Sequence, residues 1–421
     1  MTASLFVRLL TTFLGLCSTI FTVNLLIDSG GNKIYAVFVV ITSVPSLIPF
    51  ADFGLGANVF NFYVDQPLSN KPSLYEQNFI TRVFFYILLA QLILLTLASI
   101  IIFVARPSVI ELEYWDGNSS NFIFINLMIT FIAVPFSIGA RKMQAEGKIS
   151  SLIAIQGLIP LIVFFSLYLG FSITQEFQSW MLTIPSVGYL LTTVTIFLQS
   201  GLHHTVKLRN ARLIWPIDKN IFSLGFWSLT ITTVYATIWQ FPKYFFSATD
   251  NPDSVARYAI LLMLLLPQLA IINVVTSWYS PLARKFRLKP DIRKITLDAI
   301  WRSMLVAFTL ILITAPTLFV LRSFGLPTPD NLSSCIAISL LLSAPFWVVS
   351  IGAISEVDDY KWLAMRILPF FLALIVVLSI FKPSGYSNLL FSFFIPVVFF
   401  GSATVLSRIY SISRDSSSGL P

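Results

Sequence analysis

Twelve apolar runs, each about 18 or more residues long, follow one another along this chain and leave almost no room for anything else. Their limits are near 5–27, 34–62, 80–105, 121–141, 149–172, 179–200, 221–247, 256–281, 299–323, 332–354, 362–381 and 388–409. In hydrocarbon every backbone N–H and C=O must be satisfied within the protein, so runs of this kind are restricted to helices. Composition agrees. Charged residues make up 11% of the chain, against about 25% in a soluble protein, and hydrophobic residues reach 56%. A soluble fold of this size has no place to hide that much apolar side chain. The reading is an all-α polytopic membrane protein of about 12 transmembrane helices. Leu5 to Ile27 reads as a first membrane helix rather than a removed signal peptide.

Basic residues set the orientation. With the N-terminus placed in the cytoplasm, 21 Lys and Arg fall at inner ends and loops and 6 at outer ones, in the sense of the positive-inside rule. The formal net charge of +8 is thereby explained by topology, and nucleic-acid binding is excluded as its cause. Both termini are then cytoplasmic. The inner loop Gly201 to Asn220, basic and central, divides the spans into two groups of six. The expected organisation is a lobe over residues 1–200, an inter-lobe loop 201–220, a second lobe 221–410 and a tail 411–421. An even number of spans per half implies a parallel repeat. Its trace is Lys33-Ile34-Tyr35-Ala36 at the start of the second span and Ala256-Arg257-Tyr258-Ala259 at the start of the eighth. Prolines such as Pro45, Pro49, Pro135, Pro160, Pro185, Pro242 and Pro369 lie inside spans, where each removes a backbone hydrogen bond and favours a kink.

Catalytic signatures are thin. His203 and His204 are adjacent on a basic inner loop, a poor metal pair because consecutive helical residues point apart. Cys17 and Cys335 sit within spans and read as small apolar residues, and no Gly-rich phosphate loop precedes a Lys-Ser or Lys-Thr. The outer loop Arg106 to Asn121 gathers Glu111, Glu113 and Asp116 beside Tyr114-Trp115, more simply a solvated loop than a reaction centre. No enzyme activity, metal or cofactor is expected. Charges inside spans carry the functional information, because they mark pathways unless they snorkel to the interface. Arg8 lies one turn into the first span, Asp52 in the second, Lys243 after Pro242 near the outer end of the seventh and Arg257 at the outer start of the eighth. Asp250 and Asp253 lie between the last two, so local ion pairing is the competing account for Lys243 and Arg257. Arg302, Arg322 and Arg366 read as snorkelling residues.

The second span, Tyr35-Ala36-Val37-Phe38 running on to Asp52-Phe53-Gly54-Leu55-Gly56, resembles the second-helix signature of bacterial O-antigen and polysaccharide flippases. These form a branch of the multidrug/oligosaccharidyl-lipid/polysaccharide (MOP) exporter superfamily. Gln240 to Tyr258, Trp278-Tyr279-Ser280-Pro281 and Gln144-Ala145-Glu146-Gly147 resemble further segments of that family, although Pro242-Lys243 stands where many relatives carry an acid. The resemblance implies a MATE-like, V-shaped bundle of two six-helix lobes in the bacterial cytoplasmic (inner) membrane. It implies as cargo an oligosaccharide on undecaprenyl pyrophosphate, moved by alternating access, with a proton or sodium gradient as an admissible drive. A polysaccharide polymerase and a chain-length regulator are the partners it suggests, besides membrane lipids. Arg8, Lys243 and Arg257 become candidate ligands for phosphate or acidic sugar. Asp52 is either an ion-coupling residue or a device at a helix end. The alternatives are a multidrug or cation exporter of the same superfamily, or a membrane glycosyltransferase or polymerase.

Overall fold

The computed structural model describes residues 2–43, 54–65, 73–104, 119–207, 225–231, 252–263 and 357–381, with single residues and short stretches elsewhere in the second half. Packing divides the chain into two compact units, Leu10–Ala259 and Met1–Leu9 with Ile260–Pro421. Among the described residues every regular element is helical, and five helices are long and apolar enough to cross a membrane.

Helix α1 (Thr2–Ser43) holds the first expected span and the start of the second. The two are separated by the Gly30-Gly31 break, where Gly31 takes φ 70° in the left-handed region. Helix α2 (Leu55–Asp65) follows, and Pro45, Pro49 and Asp52 lie outside the described residues. Helix α3 (Leu74–Val104) starts six residues before the expected 80. The extra turn and a half is polar sequence stabilised at its end, because Ser73 Oγ accepts the Glu76 N–H at 3.1 Å. Hydropathy alone does not register such a cap.

The fourth span is helix α4 (Ser119–Ala133), a tightened 3-10 turn over Val134–Ser137 containing Pro135, and helix α5 (Ile138–Ala145). Proline here changes the helix type rather than ending the span. Helices α6 (Ile149–Gln156) and α7 (Leu158–Thr174) make the fifth, interrupted at Gly157. A Cβ on Gly157 would sit 2.7 Å from Thr11 Cγ2 of α1, so the glycine permits a close crossing. After a 3-10 turn over Ser179–Thr183, helix α8 (Ile184–Gln199) begins with Pro185 in its first turn, where the missing N–H costs nothing.

Lipid is as apolar as the side chains, so these helices are held by close packing and by interhelical hydrogen bonds. Phe84, Phe136 and Phe197 interlock with centroids 5.3–5.9 Å apart, joining α3, the Pro135 turn and α8. Gly139 lets α5 meet the α8 backbone, since a Cβ there would lie 2.7 Å from the Cα of Phe197. Buried Ser186 of α8 donates its hydroxyl to the Asn126 side-chain carbonyl of α4. Large apolar residues such as Phe165, Leu169, Ile173 and Leu191 remain exposed, as lipid-facing positions require. In the other unit, helix α9 (Val357–Phe381) contains Pro369 and matches the expected span 362–381.

Candidate functional site

The signature segment is built as a helix restart. Tyr35 to Phe38 are buried in the second half of α1. Gly54 then takes φ 64°, and its carbonyl accepts the Ala57 N–H at 3.0 Å as α2 begins. A side chain at this position would overlap the Gly225 carbonyl oxygen and come within 2.6 Å of Ser228 Cβ. The glycine is thus required twice, by backbone conformation and by contact with the segment 225–231. Asp52, two residues earlier, lies outside the described residues.

The expected cations are not brought together in one described cluster. Arg8 lies in α1, with its side chain outside the described residues. Lys243 is half-buried in a helical turn immediately after buried Pro242, and no ion pair or hydrogen bond to it occurs among the described residues. Arg257 is half-buried within the helical segment 252–263 and makes polar contact with its surroundings. Asp250 lies outside the described residues. Asp253 is not a partner of Lys243: its Oδ1 accepts a hydrogen bond from Asn32 Nδ2 at 2.9 Å, across 221 residues of chain.

Two of the expected snorkelling residues are exposed and also have partners on their own helix. Arg302 Nε lies 3.0 Å from Asp298 Oδ2, one turn away, and the Arg366 guanidinium sits 4.1 Å from the Trp362 ring centroid. The histidine rings differ from expectation. His203 and His204 occupy an exposed 3-10 turn with centroids 3.8 Å apart, so they lie side by side rather than diverging.

Sequence reasoning passed over a polar cluster at the C-terminal ends of α2 and α5 and the N-terminal end of α3. Tyr63 Oη donates to Glu76 Oε1 at 2.7 Å, and Lys142 Nζ stands 5.0 Å from the centre of the Tyr63 ring. Glu146 lies 3.6 Å from Lys142 Nζ and 2.7 Å from Lys148 Nζ, with its side chain 9% exposed. Burial, then the Glu76 hydrogen bond and carboxylate charge, push the Tyr63 hydroxyl far above the ordinary tyrosine range. Glu146 belongs to the Gln144-Ala145-Glu146-Gly147 turn, where Gly147 at φ 75° closes α5 and the Lys148 N–H returns to the Met143 carbonyl at 2.9 Å. The cluster ties helix ends together and leaves its acids occupied. Only the i, i+4 spacing of Lys142 and Glu146 was visible in the sequence.

No protein-family model matches the chain, and no curated protein matches it in sequence. Solved structures do. A MOP superfamily transporter from Pyrococcus furiosus superposes with a TM-score of 0.63 at 12% identity, covering 97% of this chain and 96% of that one. A MATE family multidrug resistance transporter in an outward-facing conformation gives 0.63 at 13% identity over 98% and 96%. An inward-facing MATE structure gives 0.58 at 14% identity over 97% and 99%. The fold is that of the MOP superfamily transporters. At these identities the likeness concerns architecture and does not extend to individual binding residues. The chain is an all-α polytopic membrane protein with the MATE-like arrangement.

Proposed function

We propose that this chain is a flippase that moves an oligosaccharide linked to undecaprenyl pyrophosphate across the bacterial cytoplasmic membrane. Two six-helix lobes would alternate access to a wet central path, with both termini cytoplasmic. The observation that carries this reading is Lys243. It is a half-buried ammonium within an expected span, with no carboxylate paired to it among the described residues. A cation at membrane depth is costly unless an anion or water compensates it. Of its two candidate partners, Asp253 accepts a hydrogen bond from Asn32 and is not paired with it, and Asp250 lies outside the described residues. A pyrophosphate or acidic sugar supplies the missing charge, and charge-assisted hydrogen bonds to phosphate are among the strong ones. Arg8 and Arg257 complete the proposed cationic set, and Asp52 serves either ion coupling or the end of the second helix.

Export of cationic drugs is the second reading, since the fold is shared with MATE multidrug transporters. Buried acids facing the cargo would favour it. The Pyrococcus furiosus transporter is described as having a binding pocket of reverse polarity that suggests a different function, so the fold carries pockets of more than one polarity. The test is display of surface polysaccharide in a strain lacking its own flippase. Lys243→Ala is expected to lower display about tenfold or more at equal membrane abundance, while Lys243→Arg retains most of it. Full display by a variant with alanine at Arg8, Lys243 and Arg257 together would exclude the cationic path.

A further inference from the structure

The start of α3 holds a second cation whose buried Nε topology alone does not explain. Positive-inside statistics place basic residues in loops and at span ends. Arg82 obeys that rule, two residues inside the expected span 80–105, and in the structure it lies eight residues past the start of α3, about 12 Å along the helix. Its Nε is buried and has no hydrogen-bond partner. Buried N–H groups are almost always paired, and an orphan of this kind often marks a missing water or ion.

A second element closes over the same place. After α8 the chain turns through residues 200–207, and the Lys207 backbone N–H donates to Thr81 Oγ1 at 3.2 Å. Thr81 is fully buried next to Arg82 in the sequence, while the Lys207 side chain is exposed. Two cations from segments 126 residues apart are therefore carried by adjacent backbone at the inner surface. The acids of this end are already engaged. Glu76 accepts from Tyr63, and Glu146 lies between Lys142 and Lys148. No described carboxylate pairs with Arg82 or Lys207.

The geometry points to an anion site formed by Arg82 and Lys207, whose ligand is the phosphate group of a lipid in the inner leaflet. Arg82 offers a guanidinium fork from within the span, and Lys207 offers an ammonium from the surface. Arg82 lies within the apolar segment Leu74–Leu97, which suits a ligand whose tail stays in the bilayer. Inner leaflets are rich in anionic headgroups, and a juxtamembrane cation gains about a fivefold preference from each such contact. The same chemistry is met by a bilayer phospholipid or by a polyprenyl phosphate, and the site does not depend on which cargo the transporter carries.

Native mass spectrometry of the full-length protein, released from nanodiscs, reads lipid retention directly. One set of nanodiscs contains phosphatidylglycerol in phosphatidylcholine, the other undecaprenyl phosphate in phosphatidylcholine. Arg82→Gln and Lys207→Ala are each expected to lower retention of a phosphate-bearing lipid about fivefold relative to wild type and to Arg302→Ala. Loss of both probes supports a general lipid-phosphate site. Loss of undecaprenyl phosphate alone assigns it to a polyprenyl carrier, and loss of phosphatidylglycerol alone assigns it to the bilayer. If Arg82→Gln does not fold, the exposed Lys207→Ala variant is read by itself. Unchanged retention of both probes, or an equal loss in Arg302→Ala, overturns the site.

Discussion

Replacing Gly54 with alanine separates two costs that the structure places on one residue. The first is conformational: at φ 64° an L-residue with a Cβ is disfavoured by about 1–2 kcal/mol. The second is steric. The new methyl would overlap the Gly225 carbonyl oxygen, lie 3.0 Å from the Gly225 carbonyl carbon and 2.6 Å from Ser228 Cβ. A backbone carbonyl has no rotamer in which to retreat, so the two segments must part, at a cost of about 1–3 kcal/mol. The sum is about 2–5 kcal/mol. Gly147 and Gly201 supply the control, because both take φ 75° and a methyl on either would meet no atom within 4 Å. Alanine at either carries the conformational cost alone. With about 2–4 °C per kcal/mol for a unit of this size, Gly54→Ala should melt roughly 4–20 °C below wild type. Gly147→Ala and Gly201→Ala should fall by no more than about half of that. The assay is thermal unfolding of detergent-purified protein followed by the monodisperse fraction on size exclusion. A Gly54→Ala protein that melts together with Gly147→Ala would refute the argument that α2 is seated against the Gly225 backbone.

Tyr63→Phe removes the 2.7 Å hydrogen bond to Glu76 and should cost about 1 kcal/mol at neutral pH, since half-exposed Glu76 recovers part of the loss from water. The hydroxyl is held protonated above its ordinary value, so its contribution is complete below pH of about 10 and fades as pH rises towards the folded-state value. Melting curves of the two proteins should therefore converge in alkaline buffer, and a constant gap would contradict the pairing. Arg302→Ala should leave both polysaccharide display and melting temperature within error of wild type. Its ion pair with Asp298 is exposed and one turn apart, the kind of contact worth about 0.3–0.5 kcal/mol.

The architecture was legible because lipid leaves a chain few choices. Runs of apolar residues had to become helices, and the described ones do so close to the expected limits: 149–172 became Ile149–Thr174 with one break, and 179–200 became Ser179–Gln199. What hydropathy missed was written in other terms. The early start of α3 depends on a Ser73 cap in polar sequence, and the break at Gly157 depends on Thr11 of another helix. Partners one turn away, Asp298 for Arg302 and Trp362 for Arg366, were available in the sequence as i, i+4 pairs. Reading those arginines by depth alone gave their exposure and left out these neighbours. Arg82 was legible only as one more inner-side charge, because the missing partner of its Nε is a property of packing.

The hydrogen bond between Asn32 and Asp253 gives the faint internal repeat a physical consequence. Asn32 immediately precedes Lys33-Ile34-Tyr35-Ala36, and Asp253 lies just before Ala256-Arg257-Tyr258-Ala259. The equivalent residues are treated alike: Tyr35 and Tyr258 are 4% and 0% exposed, and Ala36 and Ala259 are both buried. Similar four-residue starts alone would be weak grounds for a duplication. Matching burial and a direct bond between the residues leading into them make the two starts one structural feature. That bond also bears on the electrostatics nearby. Asp253 was the natural counterion for Lys243, further along the same connection, and Asn32 takes it from across the sequence. Among the described residues no carboxylate is paired with that ammonium. That absence of a described counterion agrees with the anionic cargo proposed above, and the Asn32–Asp253 bond joins the two helix starts whichever cargo is carried.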